Sequence, residues 1–217
     1  MCGRFALNAS AQDLEEHFQV NVPDVYIKRF NIAPGSPLLA INATGLTFFS
    51  WGLVPGWMRE LKPGRQMINA RAETITEKPS FKNAFKRRRC LIPASGFYEW
   101  QKSATGKQPY YCYLDQPLFS FAAIWELWQD GMGNELQSCA ILTSEAIGKM
   151  TQIHHRMPIV IRPENYADWL DHSSEQTDKA LDCLALMDAD FDFHAVTSQV
   201  NNAANDSEKL VERMGII

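Results

Sequence analysis

Short β-type segments follow one another along most of this 217-residue chain, separated by turns rather than by helices. Residues 37–52 give the clearest case, because PLLAIN and LTFFSWG flank a turn at Ala43, Thr44 and Gly45, a pattern that predicts a β-hairpin. The regular strand–helix alternation of a parallel doubly wound sheet is missing. The order of segments therefore predicts a single domain over residues 1–217 with an α+β fold, in which short helices flank a mostly antiparallel, curved or barrel-like sheet.

Local patterns predict the remaining helices and strands. Ser10 with Asp13 three residues later is an N-cap signal, and Ala11, Leu14 and Phe18 share one face of the short helix that follows. Further strands are predicted at residues 90–92, 96–101, 110–114, 118–124, 138–143, 158–161 and 193–197, and further helices at residues 144–150, 163–170, 177–186 and 205–214.

The composition excludes several classes of protein. The net charge is −4, so the chain is not the basic body of a non-specific nucleic-acid binder, and any polyanion site must be local. One basic run, KNAFKRRR at residues 82–89, is typical of a solvated surface. Apolar runs fall far short of the ~20 residues that a membrane span needs, and no signal-peptide pattern is present. We therefore expect a cytoplasmic protein with no membrane partner.

The five cysteines do not form a framework. Their number is odd and no CxxC spacing occurs, which argues against disulfides and against a zinc site. We expect no metal and no cofactor. Cys2 differs from the others by its place in MCGRF: a small second residue favours removal of Met1, and an N-terminal cysteine would carry a free α-amine two carbons from a thiol. A thiol in a frayed terminus is the alternative interpretation.

Polar residues also interrupt two apolar strand patterns. In GFYEW, residues 96–100, Glu99 either faces water at a strand end or is held by a partner in a site, since glutamate is rarely buried alone. In INARAE, residues 68–73, Asn69 and Arg71 are two apart and share one face if the segment is extended. Glu99 thus offers an acid–base group, and Arg71 offers a fixed positive charge from a separate part of the chain.

A third polar segment, QIHHRMPIV at residues 152–160, holds two adjacent histidines and Arg156. A titratable imidazole beside a guanidinium suits acid–base work on an anionic substrate. Adjacent side chains in a strand point to opposite faces, so at most one of His154 and His155 is expected to serve the same site. The Pro-Gly turn in WGLVPGW projects Trp57 from a loop, and an exposed tryptophan near arginines is a usual means of stacking an unpaired base.

Together these segments resemble the SOS-response-associated peptidase (SRAP) family, which handles abasic sites in DNA. The resemblance covers essentially the whole chain and rests on motifs that stand in the family's order: MCGRF at the start, NIAPG at residues 31–35, WGLVPGW at 51–57, INARAET at 68–74, IPASGFYEW at 92–100, IHHRMPIV at 153–160 and HAVTSQVNN at 194–202.

The resemblance implies a function and roles for residues. Cys2, exposed by loss of Met1, would close a thiazolidine ring with the aldehyde of an abasic deoxyribose. Asn69 would orient the terminus, Glu99 would shuttle protons and His154 would act as acid and base. The resemblance also implies lyase and peptidase-type activities, and binding to single-stranded DNA and to junctions of single and double strands. Its phosphate contacts would be Arg4, Arg71 and Arg156, and its base-packing residues Pro34, Trp57 and Trp100. Nothing in the sequence demands an oligomer, so we expect a monomer.

Two other functions use the same residues. An N-terminal-nucleophile peptidase or amidohydrolase would also need Cys2 at the terminus beside a base. A non-catalytic single-strand-binding module would need only the tryptophans and the arginines. A covalent adduct with abasic DNA distinguishes the first function from both alternatives.

Overall fold

The computed structural model describes residues 2–61, 64, 66–103, 106–172, 177–185 and 189–215. Its strands are β1 (Phe5–Leu7), β2 (Arg29–Ile32), β3 (Pro37–Asn42), β4 (Gly45–Trp51), β5 (Asn69–Arg71), β6 (Arg89–Ala94), β7 (Gly96–Ser103), β8 (Gly106–Tyr113), β9 (Phe119–Gln129), β10 (Glu135–Glu145), β11 (Arg156–Pro158), β12 (Val160–Ile161) and β13 (Asp192–Ala195). The α-helices are α1 (Ala11–Phe18), α2 (Lys82–Arg87), α3 (Tyr166–Leu170) and α4 (Asp178–Ala185).

Five strands close into a barrel. They pair in the order β10, β4, β3, β6, β9 and back to β10, and only the β4–β10 contact in this ring is parallel. Closure leaves no free edge in the ring, and β5, β11 and β12 extend it by pairing with β9 or β10. The predicted α+β fold with a mostly antiparallel, barrel-like sheet is confirmed.

A second, antiparallel sheet packs against this barrel. Its strand order is β13, β8, β7, β1, β2. Aromatic side chains join the two sheets: the ring centroids of Phe5 and Trp51 are 5.3 Å apart, and those of Phe97 and Phe121 are 6.1 Å apart, both in edge-to-face contact. Because Phe5 and Phe97 are opposite one another on β1 and β7, this packing holds the N-terminal segment firmly against the barrel.

Most sequence-predicted strands are present, with shifted ends. The hairpin at residues 37–52 is confirmed as β3 and β4, and Ser10 and Asp13 form the expected capping box at the start of α1. The predicted strand at residues 158–161 is two strands that pair with different neighbours, β10 and β9. Strands β1, β2 and β5 are too short to leave a clear pattern in the sequence. No helix in the described ranges is long and apolar enough to cross a membrane.

The predicted helix at residues 144–150 is wrong. Ser144 and Glu145 instead extend β10, where they pair with Met157 and Arg156 of β11, and only a 3₁₀ turn follows at Gly148–Gln152. The ladder with β11 outweighs the local helical preference of these residues.

The predicted helix at residues 205–214 is also wrong, since the chain there forms a single 3₁₀ turn at Glu208–Leu210. Contacts with β2 hold this segment open: the Asn31 side-chain amide donates to the carbonyl oxygen of Asn205 at 2.7 Å, and the Phe30 N–H donates to the Asp206 carboxylate at 2.5 Å. Tertiary hydrogen bonds replace those that a helix would make. The predicted helices at 163–170 and 177–186 are confirmed in α3 and α4, although residue 186 lies outside the described ranges.

The basic run at residues 82–89 is only partly a solvated surface. It forms α2, which buries Ala84 and Phe85, and it ends in Arg89, a side chain that is 1% exposed. The Arg89 guanidinium donates to the carbonyl oxygens of Phe85 at 2.6 Å and of Trp169 at 2.6 Å, and also to those of Lys86 and Asp171. One cation thus caps the C-terminal ends of both α2 and α3.

Replacing Arg89 is expected to destabilise the protein strongly. Arg89→Met keeps the buried volume but leaves several carbonyl oxygens without a donor, so we expect a loss of about 3 kcal/mol in the free energy of unfolding, measured by urea denaturation. Lys86→Met, on the exposed face of the same helix, is the matched control. It should change the free energy of unfolding by about 0.5 kcal/mol or less. Equal losses in the two variants would contradict the capping role.

Candidate active site

Cys2 lies at the start of the described chain, immediately before β1, and its side chain is 0% exposed. The Tyr98 N–H of β7 donates to the Arg4 carbonyl oxygen at 2.9 Å, so residues 2–4 run alongside β7. The Cys2 thiol faces that same carbonyl oxygen of Arg4 at 4.0 Å. Met1, predicted to be removed, lies outside the described residues. The segment that leads into β1 is thus held against β7, and this pairing positions the Cys2 thiol in a buried place.

Asn69 connects the barrel to the N-terminal segment. It is the first residue of β5, where parallel pairing sets it opposite Ile141 of β10. Its side-chain amide donates to the Cys2 carbonyl oxygen at 2.8 Å, while its Oδ1 atom is buried without a hydrogen-bond partner among the described residues. Because Asn69 Oδ1 is an acceptor without a donor in the described part of the chain, it can receive a hydrogen bond from a donor at the N-terminus.

Glu99 lies on β7 next to this terminus, and its side chain is 3% exposed. Of the two interpretations open for this residue, a strand end facing water is thereby wrong. Burial raises the pKa of the Cys2 thiol well above its usual range, and the negative charge of Glu99 raises it further. The thiol is therefore protonated at neutral pH in the chain that carries Met1, and its reaction requires a group that takes the proton.

His154 faces the same place from the segment between the 3₁₀ turn at Gly148–Gln152 and β11. The Arg156 N–H donates to His154 Nδ1 at 2.9 Å, and the Arg156 carbonyl oxygen lies 3.1 Å from the same ring nitrogen, so the backbone of Arg156 fixes the orientation of the imidazole. Burial lowers the pKa of His154 below its usual value, and the negative charge of Glu99 acts in the opposite direction. The expected orientation of the two histidines is wrong: outside a strand, the His154 and His155 rings stack with centroids 4.3 Å apart.

Cys2, Asn69, Glu99 and His154 are thus brought together from four distant parts of the sequence. His155 is exposed, whereas His154 is half-buried and interacts with the charge of Glu99. This arrangement combines a nucleophile, an amide, a carboxylate and an imidazole, which suffices for addition to a carbonyl with proton transfer. The described residues contain no cluster of three or more His, Cys, Asp or Glu side chains that could hold a metal ion.

The three predicted phosphate contacts differ in their surroundings. Arg71 is exposed. Arg4 is half-buried and donates from Nη1 to Asn31 Oδ1 and to the Val200 carbonyl oxygen, each at 2.8 Å. Arg156 is buried and has several internal partners of its own. That these arginines bind phosphate stays a prediction, which the exposure of Arg71 favours most directly.

The partner of Arg156 was not predicted from the sequence. Glu73 accepts two hydrogen bonds from the Arg156 guanidinium, at 2.6 and 2.9 Å, and the same guanidinium donates to the Thr143 carbonyl oxygen at 2.6 Å. These hydrogen bonds lower the pKa of the Glu73 carboxyl. The ion pair ties the segment that carries Asn69 to the segment that carries His154. The sequence offered one signal for this ion pair, the acidic residue Glu73 at the end of INARAE.

The predicted base-packing residues lie at the surface to different degrees. Trp57 is 66% exposed and Pro34 is exposed, so both offer free apolar surface. Trp100 is half-buried, and its indole N–H donates to Asn201 Oδ1 at 2.8 Å. All three are available to a ligand in part, and their contact with bases stays a prediction.

Comparison with known proteins assigns the chain to a family. The family model for SOS response associated peptidase (SRAP) matches residues 1–203. The chain belongs to the SRAP family. One SRAP relative, the abasic site processing protein YoqW of Bacillus subtilis (strain 168), is 38% identical over 222 residues, which cover 98% of this chain and 99% of YoqW. Another, the abasic site processing protein HMCES of Rattus norvegicus, is 31% identical over 85% of this chain and 65% of HMCES.

Solved structures of other proteins share this fold. A crystal structure of a protein from Bacteroides thetaiotaomicron matches with a TM-score of 0.86 at 24% identity, over 98% of this chain and 100% of that one, which shows the likeness of fold. A phage-related protein from Bordetella bronchiseptica matches with a TM-score of 0.73 at 29% identity, over 90% of this chain and 94% of the other. The resemblance inferred from the sequence motifs is confirmed.

Proposed function

We propose that this SRAP protein processes abasic sites in DNA by linking itself covalently to them through Cys2. The names of its relatives YoqW and HMCES support abasic-site processing. The observation that carries the covalent mechanism is the hydrogen bond from Asn69 to the Cys2 carbonyl oxygen beside the buried Glu99 and the half-buried His154. A peptidase with an N-terminal nucleophile would use some of these groups, but its substrate would not be abasic DNA.

The proposed reaction begins after removal of Met1. The Cys2 α-amine, with an ordinary pKa near ~7.7–8.0, adds to the aldehyde carbon of the ring-opened deoxyribose. The carbinolamine oxygen leaves as water, which leaves an imine between the Cys2 nitrogen and the sugar carbon. His154 interacts with the charge of Glu99 beside Cys2, and its imidazole can donate a proton to the departing oxygen.

The thiol then closes the ring. The Cys2 sulfur adds to the imine carbon, and its proton moves by way of the Glu99 carboxylate to the nitrogen, so that one water is released overall. Because both nucleophiles belong to one residue, the second step gains from effective molarities that reach ~10⁵ M or more. The product is a thiazolidine that links the protein to DNA.

The imine also accounts for the proposed lyase activity. An imine at the sugar carbon acidifies the neighbouring C–H, so elimination of the 3′ phosphate cleaves the strand. Removal of Met1, which precedes the imine, is the proposed peptidase-type step. We propose single-stranded DNA and junctions of single and double strands as the substrates, bound by a cytoplasmic monomer whose single domain spans residues 1–217. Incubation with single-stranded DNA that carries one abasic site, followed by denaturing electrophoresis, tests the proposed function: a slow-migrating adduct is expected.

The two histidines are expected to behave differently. His154→Ala should slow imine-dependent strand cleavage and reversal of the link roughly 100-fold, because the acid–base imidazole is lost from the site. His155→Ala should leave both rates near wild type, since the His155 side chain is exposed and stacks on the His154 ring. Single-turnover kinetics measure both rates. A larger effect of His155→Ala would reverse the assignment.

A further inference from the structure

A groove of about 450 Å³ lies beside the proposed active site and shares Asn69 with it. Its lining residues are Asn69, Arg71, Thr74, Lys78 and Phe81, and we refer to it as the Lys78 groove. It begins at Asn69, whose amide contacts Cys2, and leads away from Cys2 along the segment that connects β5 to α2. A ligand held at Cys2 therefore lies one side chain, that of Asn69, away from this groove.

The charge of the groove has one sign. Arg71 and Lys78 are both exposed, and neither forms an ion pair with a described residue. No carboxylate belongs to the lining, because the neighbouring Glu73 turns to Arg156 instead. In a chain of net charge −4, two cations without acidic partners beside a reactive terminus are suited to an anion.

The backbone holds Lys78 in place. The Lys78 N–H donates to the Thr74 carbonyl oxygen at 3.0 Å, and the Lys78 carbonyl oxygen accepts from the Phe81 N–H at 2.9 Å. Ile75 and Phe81 are buried in the core on either side of Lys78. Two turns fastened by buried side chains thus fix the backbone of Lys78 at the groove, which reduces the backbone entropy lost when the side chain binds a ligand.

We propose that Lys78, together with Arg71, binds a DNA phosphodiester next to the abasic nucleotide, with the Thr74 hydroxyl as an added donor. This inference rests on the proposed function, since it takes the abasic sugar at Cys2 as its starting point. The phosphate of the adjoining nucleotide is the anion that covalent continuity of the strand delivers into the groove. Lys78 is therefore a binding residue of the single-strand site, and its charge acts on the affinity for DNA.

The test measures binding without chemistry. Single-stranded oligonucleotides carry a tetrahydrofuran abasic analogue, which has no aldehyde, and in a series each phosphodiester near it is replaced in turn by an uncharged methylphosphonate. Lys78→Ala should weaken binding of the all-phosphate strand roughly three- to ten-fold and make the slope of log affinity against log salt less negative by about 0.7. When one particular phosphodiester is replaced by methylphosphonate, Lys78→Ala should cause no further loss of affinity for the strand. Lys78→Arg should retain the affinity.

Lys28→Ala is the matched control. It removes the same charge from an exposed position beside Asp13 of α1, and it should leave both the affinity and the salt slope near wild type. An equal loss for Lys78→Ala with every methylphosphonate strand, or no loss with any strand, would overturn the proposal.

The two proposals fail in different ways. If the wild-type protein forms no adduct with aldehyde-bearing abasic DNA, the proposed function is wrong, whatever Lys78 does. If the adduct forms and Lys78→Ala binds the tetrahydrofuran strand as wild type does, the assignment of the groove alone is wrong.

Discussion

Cys2→Ala is expected to abolish the stable adduct with abasic single-stranded DNA. The substitution keeps the α-amine, so an imine with the aldehyde still forms, but no sulfur is left to close the thiazolidine ring. The imine hydrolyses, and denaturing electrophoresis should show no slow-migrating species unless borohydride is added to reduce the imine. Wild-type protein should give the adduct without a reductant. This difference separates loss of the thiol from loss of binding.

A second buried cysteine provides the control. Cys183 lies on α4, away from Cys2, and Cys183→Ala should form the adduct as wild type does. A fusion that leaves residues ahead of Cys2 should behave worse than Cys2→Ala, because the amine itself is then an amide and borohydride traps nothing. Full adduct formation by a chain that retains Met1, shown by mass spectrometry of the intact protein, would contradict the whole mechanism.

The fold was predictable where local patterns and long-range pairing agree. The hairpin of β3 and β4 is signalled by the turn residues and by the β-type segments on either side of it. The capping box of α1 involves only residues 10–13, so it can be predicted locally. The helix predicted at residues 144–150 failed because β11 offers Ser144 and Glu145 a strand partner that lies beyond the local sequence. Closure of the barrel by the parallel contact of β4 with β10 has no local signal either.

The sequence predicted which residues form the candidate site better than it predicted the contacts between them. Motifs identified Cys2, Asn69, Glu99 and His154, and the structure brings them together. The internal partners of Arg4 and Arg156 could not be foreseen, since Asn31, Val200 and Glu73 become neighbours only through the packing of separate strands. The stacked histidines were missed because the segment was interpreted as a strand.

Glu99→Gln is expected to slow adduct formation by roughly 100- to 1,000-fold while leaving affinity for the tetrahydrofuran strand within about two-fold of wild type. The amide has almost the same shape and should fit the same buried space on β7, but it accepts no proton from the thiol. Single-turnover rates of adduct formation measure the first quantity, and equilibrium binding measures the second. Glu126→Gln, which alters a mostly buried carboxylate paired with Arg88 elsewhere in the barrel, is a matched control and should change neither. Equal losses of rate and affinity would make Glu99 a structural residue.

The direction of this effect distinguishes proton transfer from simple ionisation of the thiol. The negative charge of Glu99 raises the pKa of Cys2, so removing the charge must lower that pKa and increase the fraction of thiolate at a given pH. If that fraction alone limited the reaction, Glu99→Gln would be faster than wild type, most visibly at neutral pH. If the carboxylate instead carries the proton from sulfur to nitrogen, the variant is slower even though its thiol ionises more easily. Rates measured from pH 6 to 9 decide between the two, and an accelerated variant would remove Glu99 from the proton path.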